Sequence, residues 1–99
     1  MELLVKRALE YLDRLSSEAA NDPGLQRELA TAYEKVGDVQ GNPYKPNVGD
    51  VAGAMASYEK SRQIRESLVD RGLSDAKLDG ELAGLYKSIG DIESESGDY

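Results

Sequence analysis

Apolar side chains recur at helical spacing along the first twenty residues of the chain. The stripe predicts a helix over residues 2–20, because one face of a helix returns every three or four positions. Its members are Leu4, Ala8, Tyr11, Leu12, Leu15 and Ala19. Asp22 and Pro23 then provide an N-cap and a first helical residue. The apolar spacing that follows predicts a second helix over residues 23–36, which Gly37 is expected to end.

The apolar period disappears over residues 38–49, where turn-forming residues dominate. This stretch predicts a loop. The period returns after Asp50, a suitable N-cap, and predicts a third helix that stops near Gly72. The spacing of the apolar positions thus indicates helices separated by turns and a loop.

A fourth amphipathic segment covers residues 75–90. Its apolar positions are Leu78, Leu82, Leu85, Tyr86 and Ile89. Either Ser74 or Asp75 serves as its N-cap, and Gly90 is expected to close it. Residues 91–99 are short and acidic, so they are predicted to form a frayed tail. The pattern as a whole predicts an all-α chain of four helices.

The second and fourth predicted helices carry one pattern twice. Residues 28–39, ELATAYEKVGDV, align without gaps with residues 81–92, ELAGLYKSIGDI. Glu, Leu, Ala, Tyr, Gly and Asp recur at identical spacing. Such internal repetition indicates a repeat protein, in which units stack because none can bury its apolar face alone. Stacking leaves a long groove for another molecule, so the repeat favours a binding module over an enzyme.

The residues of this repeat resemble the motif of a known family. The motif runs Leu29-Ala30-x-x-Tyr33-x-x-x-Gly37-Asp38 and, after the loop, Gly49-Asp50-x-x-x-Ala54-x-x-x-Tyr58-x-x-Ser61. It resembles the tetratricopeptide repeat (TPR). The resemblance implies a TPR-like right-handed α-solenoid of stacked antiparallel helix hairpins. Residues 2–20 are then the second helix of a preceding unit, residues 23–71 one full unit with an inserted loop, and residues 75–90 the first helix of a following unit.

The chain departs from the family in its period. Tyr33 and Tyr86 lie 53 positions apart (86 − 33), whereas the TPR period is about 34 residues. The family's Trp is also missing from both first helices. Residues 28–43 and 49–68 are similar to TPR segments that follow serine/threonine kinase domains in some bacterial proteins, which implies a module of a larger protein.

Composition narrows the chemistry. The 99 residues include neither cysteine nor histidine, which removes the usual nucleophile, general base and transition-metal ligands. We therefore expect no catalytic site, no metal site and no cofactor. The net charge of −7 argues against nucleic acid as a partner, and the sequence lacks the run of about 20 apolar residues that a membrane span needs. With no basic-then-apolar leader, the expected location is cytoplasmic.

The resemblance also implies where a ligand would bind. In TPR arrays the first helix of each unit lines the inner groove, which here gives Arg27, Thr31, Glu34, Lys35, Lys77 and Lys87 as candidate peptide-binding residues. Four of the six are basic, so they would suit an acidic or extended peptide. The alternative is an ordinary helix surface with intrahelical ion pairs.

Tyr44, in the predicted loop between Pro43 and Pro46, is a second candidate. It is either a recognition element, since loops carry much of binding, or a ring folded back over apolar surface between the helices. The second interpretation is favoured.

The function predicted is a protein- or peptide-binding scaffold module without catalytic activity. The alternative is a structural spacer or self-association module with no ligand of its own, marked by a groove whose polar groups pair with one another. The first and last helices are expected to expose apolar surface, which predicts a homodimer through these terminal helices.

Overall fold

The structure, a computed structural model, describes residues 2–95, and these form four helices in sequence. The helices are α1 (Glu2–Glu18), α2 (Pro23–Gly41), α3 (Val51–Asp70) and α4 (Ala76–Glu95). Each helix packs against the next one along the chain, and the α2–α3 contact is the most extensive. The prediction of an all-α, four-helix chain is confirmed. None of these helices is long and apolar enough to cross a bilayer.

The four helices form two layers. The shortest dimension of the molecule is 18 Å, and a helix with its side chains is about 10 Å wide. Helices that alternate in sequence lie side by side. Lys60 Nζ on α3 is 2.8 Å from Asp13 Oδ1 on α1, and Arg27 Nη2 on α2 is 3.7 Å from Glu81 Oε1 on α4. One layer therefore holds α1 and α3, and the other holds α2 and α4.

Aspartate side chains begin three of the helices. Asp22, Asp50 and Asp75 each accept a hydrogen bond from the backbone amide three residues later, at 3.1, 2.9 and 2.7 Å. These contacts satisfy amides that have no partner within the helix. Of the two candidates before α4, Asp75 is the cap, while the Ser74 hydroxyl donates to Asp79.

The glycines end only one of the helices as predicted. Gly72 adopts a left-handed φ of 79° just beyond α3, as the sequence indicates. Gly37 and Gly90, in contrast, do not end their helices. The second helix continues to Gly41, and the fourth continues to Glu95.

Gly37 lies inside α2 because the ring of Tyr58 needs its space. A Cβ added at Gly37 would be 2.7 Å from both Cδ1 and Cε1 of that ring. Tyr58 is fully buried, and its hydroxyl donates to the Asp38 carboxylate. A glycine within a helix costs about 1 kcal/mol relative to alanine, which the α2–α3 packing offsets.

The boundaries of the loop and of the tail change accordingly. The loop between α2 and α3 covers residues 42–50 rather than 38–49. Residues 91–95 belong to α4, so the predicted frayed tail is wrong for that part of 91–99. Ile92 is 3% exposed and packs with Ala54 and Tyr58, which explains why the helix continues. Residues 96–99 lie outside the described residues.

Two apolar clusters hold the layers together. The first joins α1 to α2 and includes Leu12, Ala19, Leu29 and Tyr33. The second joins α3 to α4 and includes Ala54, Tyr58, Leu85 and Ile92. Between the clusters, small residues bring α2 and α3 close. The Ser61 hydroxyl donates to the Ala30 carbonyl at 2.7 Å, and both residues are fully buried.

The internal repeat is visible in the geometry as well as in the sequence. The Tyr33 hydroxyl on α2 donates to Asp13 on α1, and the Tyr86 hydroxyl on α4 donates to Glu66 on α3. The tyrosine and the carboxylate of the second bond each lie 53 positions after those of the first, since 86 − 33 and 66 − 13 are both 53. The N-caps of α2 and α4 are related by the same shift. Thus α3 and α4 repeat the arrangement of α1 and α2.

Candidate functional site

A cavity of about 220 Å³ lies between α2 and α4, on the layer where the sequence places a groove. It is lined by Arg27, Glu28, Thr31, Lys77 and Glu81. Three of the six predicted groove residues, namely Arg27, Thr31 and Lys77, therefore meet in space. They do so because α2 and α4 are neighbours although α3 separates them in sequence.

The Arg27 guanidinium is already engaged within this groove. It donates to both carboxylate oxygens of Asp75, at 2.8 and 3.1 Å, and lies 3.7 Å from Glu81. Because Asp75 also caps α4, one carboxylate fixes both the start of α4 and its position beside α2. With Glu28 and Lys77 at the same cavity, the groove is of mixed charge rather than basic.

Acid should remove the Arg27–Asp75 contribution to stability. The Arg27 guanidinium, helped by the Leu78 amide, lowers the pKa of Asp75 to about 2. A folded-state pKa below the unfolded value of about 3.9 adds stability that is present above pH 4 and lost as the pH falls to about 2. Asp75→Asn keeps the cap but loses the charge. We expect the melting-temperature gap between the parent and this variant to be constant above pH 5 and to close between pH 4 and pH 2.

Thermal melts followed by circular dichroism at several pH values measure that gap. Arg27→Gln should give the same closing gap, since it removes the other half of the pair. A gap that persisted unchanged to pH 2 would contradict the assigned ion pair.

A buried arginine on α3 makes hydrogen bonds to both Glu34 and Thr31 of α2. Arg65 is 2% exposed, and its guanidinium donates to Glu34 at 2.6 Å and to Thr31 Oγ1 at 3.3 Å. It also approaches the Glu81 carbonyl oxygen on α4, at 3.5 Å. Arg65 thus links three helices beneath the groove. The sequence pattern does not reveal this role, although Arg65 occupies a position in the apolar stripe of the third helix.

Lys35 lies apart from the other predicted groove residues. It borders a cavity of about 250 Å³ between α1 and α2 whose other lining residues are Leu4, Val5, Ala8, Val36 and Val39. The structure therefore separates Lys35 from Arg27 and Lys77. Lys35 lies about 12 Å further along α2 than Arg27, and about 80° further round the helix, where it borders α1 instead of α4.

Lys87 and Tyr44 meet at the far end of the groove. The Lys87 ammonium is 5.9 Å from the centre of the Tyr44 ring, within the range of a cation–π contact, and 3.1 Å from Asp91. Tyr44 is 68% exposed, so the expectation that it folds back over apolar surface is wrong. The exposed ring is instead presented beside α4.

Two asparagines order the loop that carries Tyr44. The Asn42 side chain is buried; it donates to the Tyr58 hydroxyl at 3.1 Å and accepts from the Tyr44 amide at 2.9 Å. Asn47 donates to the Asn42 carbonyl at 2.8 Å. These side chains replace the apolar contact expected of Tyr44, because Asn readily mimics backbone hydrogen bonding in turns.

A polar cavity of about 410 Å³ opens between α1, α2 and α3, where the sequence predicts no site. At its wall, Asp13 accepts hydrogen bonds from Lys60 at 2.8 Å and from the Tyr33 hydroxyl, and these bonds lower its pKa. Lys60 also lies 5.4 Å from the centre of the Tyr33 ring. The three groups satisfy one another, and their separation in sequence explains why the pattern did not reveal them.

Hydrogen bonds and burial shift the pKa values of several carboxylates and phenols in and near these cavities away from neutrality. Hydrogen bonds lower the pKa values of Asp13, Glu66 and Asp75, so all three are ionised at neutral pH. Burial raises the pKa values of Tyr33 and Tyr58, which keeps them protonated. A catalytic acid or base needs a pKa near the working pH. Across residues 2–95, no three acidic side chains come together in a way that could hold a metal ion.

Comparison with known proteins returned no relative: no protein-family model, no curated protein and no solved structure matches this chain.

Proposed function

We propose that this chain is a non-catalytic scaffold module that binds a protein or peptide segment, built as a TPR-like right-handed α-solenoid. The observation that carries the proposal is the groove between α2 and α4, where Arg27, Thr31 and Lys77 meet around one cavity. Two equivalent helices lie side by side in one layer, which is the arrangement that repeat proteins use for binding.

The repeat supports the solenoid part of the proposal. The Tyr33–Asp13 and Tyr86–Glu66 hydrogen bonds place corresponding residues of α1–α2 and α3–α4 in corresponding positions. A regular rotation from one helix pair to the next is what produces a solenoid. The exposed Tyr44 ring beside Lys87 extends the proposed binding surface along α4.

A peptide-display experiment tests the proposed groove. The protein is panned against a random peptide library, and the footprint of each selected peptide is mapped by backbone amide chemical shifts. We expect shifts along α2 and α4, and we expect Lys77→Glu to weaken binding several-fold because that side chain borders the groove cavity. Lys35→Glu is the matched control, since Lys35 lies on the α1 side of α2.

The outcomes separate the candidate surfaces. If Lys35→Glu weakens binding and Lys77→Glu does not, the binding surface lies between α1 and α2. A library that yields no peptide with a footprint on α2 or α4 would contradict the proposed groove.

The second candidate is a structural or self-association module, which one specific observation favours. The central polar groups of the groove pair within the chain, Arg27 with Asp75 and Glu34 with Arg65. Groups satisfied in this way gain little by binding a ligand. In this case the display experiment yields no groove binder, and the surface that matters lies elsewhere.

A further inference from the structure

The outward face of α4 repeats the face through which α2 packs on α3, yet it is open. In α2 that face includes Ala30, which is fully buried, and Gly37, which touches the Tyr58 ring. The corresponding residues of α4, 53 positions later, are Ala83 and Gly90, and both are exposed. A Cβ added at Gly90 would meet nothing within 4 Å.

The complementary face, on α1, is also incompletely covered. The 53-residue shift relates α1 to α3, so Val5 corresponds to Tyr58 and Ala8 to Ser61. On α3 these positions face α2 and are fully buried. On α1 Val5 and Ala8 are only half-buried and line the apolar cavity beside α2, and the adjoining Leu4 is 69% exposed. The chain thus exposes both halves of an interface that it already forms once internally.

We propose that these two faces bind each other between copies of the chain, with α1 of one copy packed on the outward face of α4 of another. Val5 of the second copy would lie over Gly90, as Tyr58 lies over Gly37, and Ala8 of the second copy would face Ala83, as Ser61 faces Ala30. The proposal concerns surfaces outside the α2–α4 groove. It deepens the second candidate function and does not depend on the first.

The chemistry of the two faces agrees with an apolar contact. Asp38 accepts the Tyr58 hydroxyl hydrogen within the chain in addition to its ion pair with Lys45 at 3.0 Å. Its counterpart Asp91 is paired with Lys87 at 3.1 Å, so its charge is balanced although Val5 of the second copy offers no hydroxyl. The central ion pair between Glu34 and Arg65 has no counterpart either, which makes the contact between copies weaker than the contact within one.

The two faces differ, so the contact is head-to-tail. A heterologous contact of this kind leaves one open face of each type on every assembly, and association continues beyond the dimer with rising concentration. This distinguishes the proposal from a symmetric pairing of terminal helices, which stops at two copies.

Arginine placed at two glycines of α4 provides a matched test with opposite expected results. Gly90→Arg fills the space that Val5 of the second copy would occupy, and should weaken association at least about tenfold. In the proposed contact, Gly80 of one copy takes the place that Arg27 has within a chain, and Asp22 of the other copy takes the place of Asp75. Gly80→Arg should therefore recreate the Arg27–Asp75 ion pair between copies and tighten association about threefold.

Both arginines have room in the single copy. A Cβ at either glycine meets nothing within 4 Å, and arginine favours a helix more than glycine does. Circular dichroism melts at low concentration confirm that each variant folds. Adding Asp22→Asn to Gly80→Arg removes the charge but keeps the cap, so association should return to the parent value.

Sedimentation velocity from micromolar to millimolar concentration measures the association. For the parent, the weight-average sedimentation coefficient should keep rising with concentration past the value of a dimer. For Gly80→Arg the rise should begin at a lower concentration, and for Gly90→Arg the coefficient should keep the monomer value up to a higher concentration. A parent that remains monomeric throughout, a plateau at the dimer, or a Gly90→Arg variant that associates like the parent would each overturn the proposal. None of these results bears on peptide binding in the groove, which the display experiment measures separately.

Discussion

Replacing Arg65 by leucine should destabilise the protein by about 3 kcal/mol. The substitution leaves the Glu34 carboxylate, which is 24% exposed, without its cationic partner. It also removes the hydrogen bonds to Thr31 and to the Glu81 carbonyl, through which α3 holds α2 and α4 together. Urea unfolding followed by circular dichroism gives the change in the free energy of unfolding.

Arg62→Leu is the matched control for Arg65→Leu. Arg62, on the same helix, makes hydrogen bonds to both Glu59 and Glu66, but its side chain is 31% exposed, and ion pairs in contact with solvent contribute little. We expect its unfolding curve to lie close to that of the parent. The double variant Glu34→Leu/Arg65→Leu should recover much of the loss, because no buried charge is left unpaired. Equal losses for Arg62→Leu and Arg65→Leu would contradict the assigned role of burial.

Gly37→Ala should destabilise the protein by about 1–2 kcal/mol, although alanine is the better helix former. The added methyl would be 2.7 Å from two atoms of the Tyr58 ring. The ring cannot turn away cheaply, because its hydroxyl is held by Asp38 and Asn42. Either the ring or α3 itself must shift. Thermal and urea unfolding measure the change.

Gly90→Ala is the corresponding change in the second copy of the repeat and should have the opposite sign. The space around Gly90 is open, so only the gain in helix propensity remains, and we expect stabilisation of about 0.5–1 kcal/mol. Both variants are measured at low micromolar concentration. If Gly37→Ala were stabilising to a similar extent, the close contact between α2 and Tyr58 would be wrong.

The helices were predictable wherever a local signal specified them. Asp22 and Asp50 are polar caps immediately before an apolar period, and both cap as the sequence indicates. Gly72 ends α3 with a positive φ, because nothing downstream continues that helix. Such signals act within one turn of helix, so a single sequence contains all the information they need.

The helix ends at Gly37 and Gly90 were not predictable in the same way. A glycine at the end of an apolar stripe resembles a helix stop, but here Val39 and Ile92 extend the stripe past each glycine. Ile92 packs against Ala54 and Tyr58 of α3, and Val39 borders the cavity between α1 and α2. The reason for Gly37 is a ring on another helix, about twenty residues away in sequence. Tertiary contact overrode the local preference.

The sequence predicted some of the residues that meet in the candidate groove, but it did not predict the net charge of the groove. Arg27, Thr31 and Lys77 meet as the repeat implies, because equivalent helices occupy one layer. The partners that offset the basic residues come from elsewhere in the chain. Arg27 pairs with Asp75, 48 positions away, and a pattern of residues along one helix carries no information about such partners.

The hydrogen-bonded tyrosines limit the stability of the protein at alkaline pH. Within residues 2–95, Tyr33, Tyr58 and Tyr86 each donate the phenolic hydrogen to a carboxylate 20 positions away, and the sequence contains no tryptophan. Burial, or the carboxylate itself, raises the pKa of each of these phenols. The folded chain therefore keeps these protons above about pH 10, where an unfolded chain loses them, and its stability falls as the pH rises further. In strong alkali these phenols ionise as the chain unfolds. The increase in the ultraviolet absorbance of phenolate therefore measures the unfolding of the helices that they link.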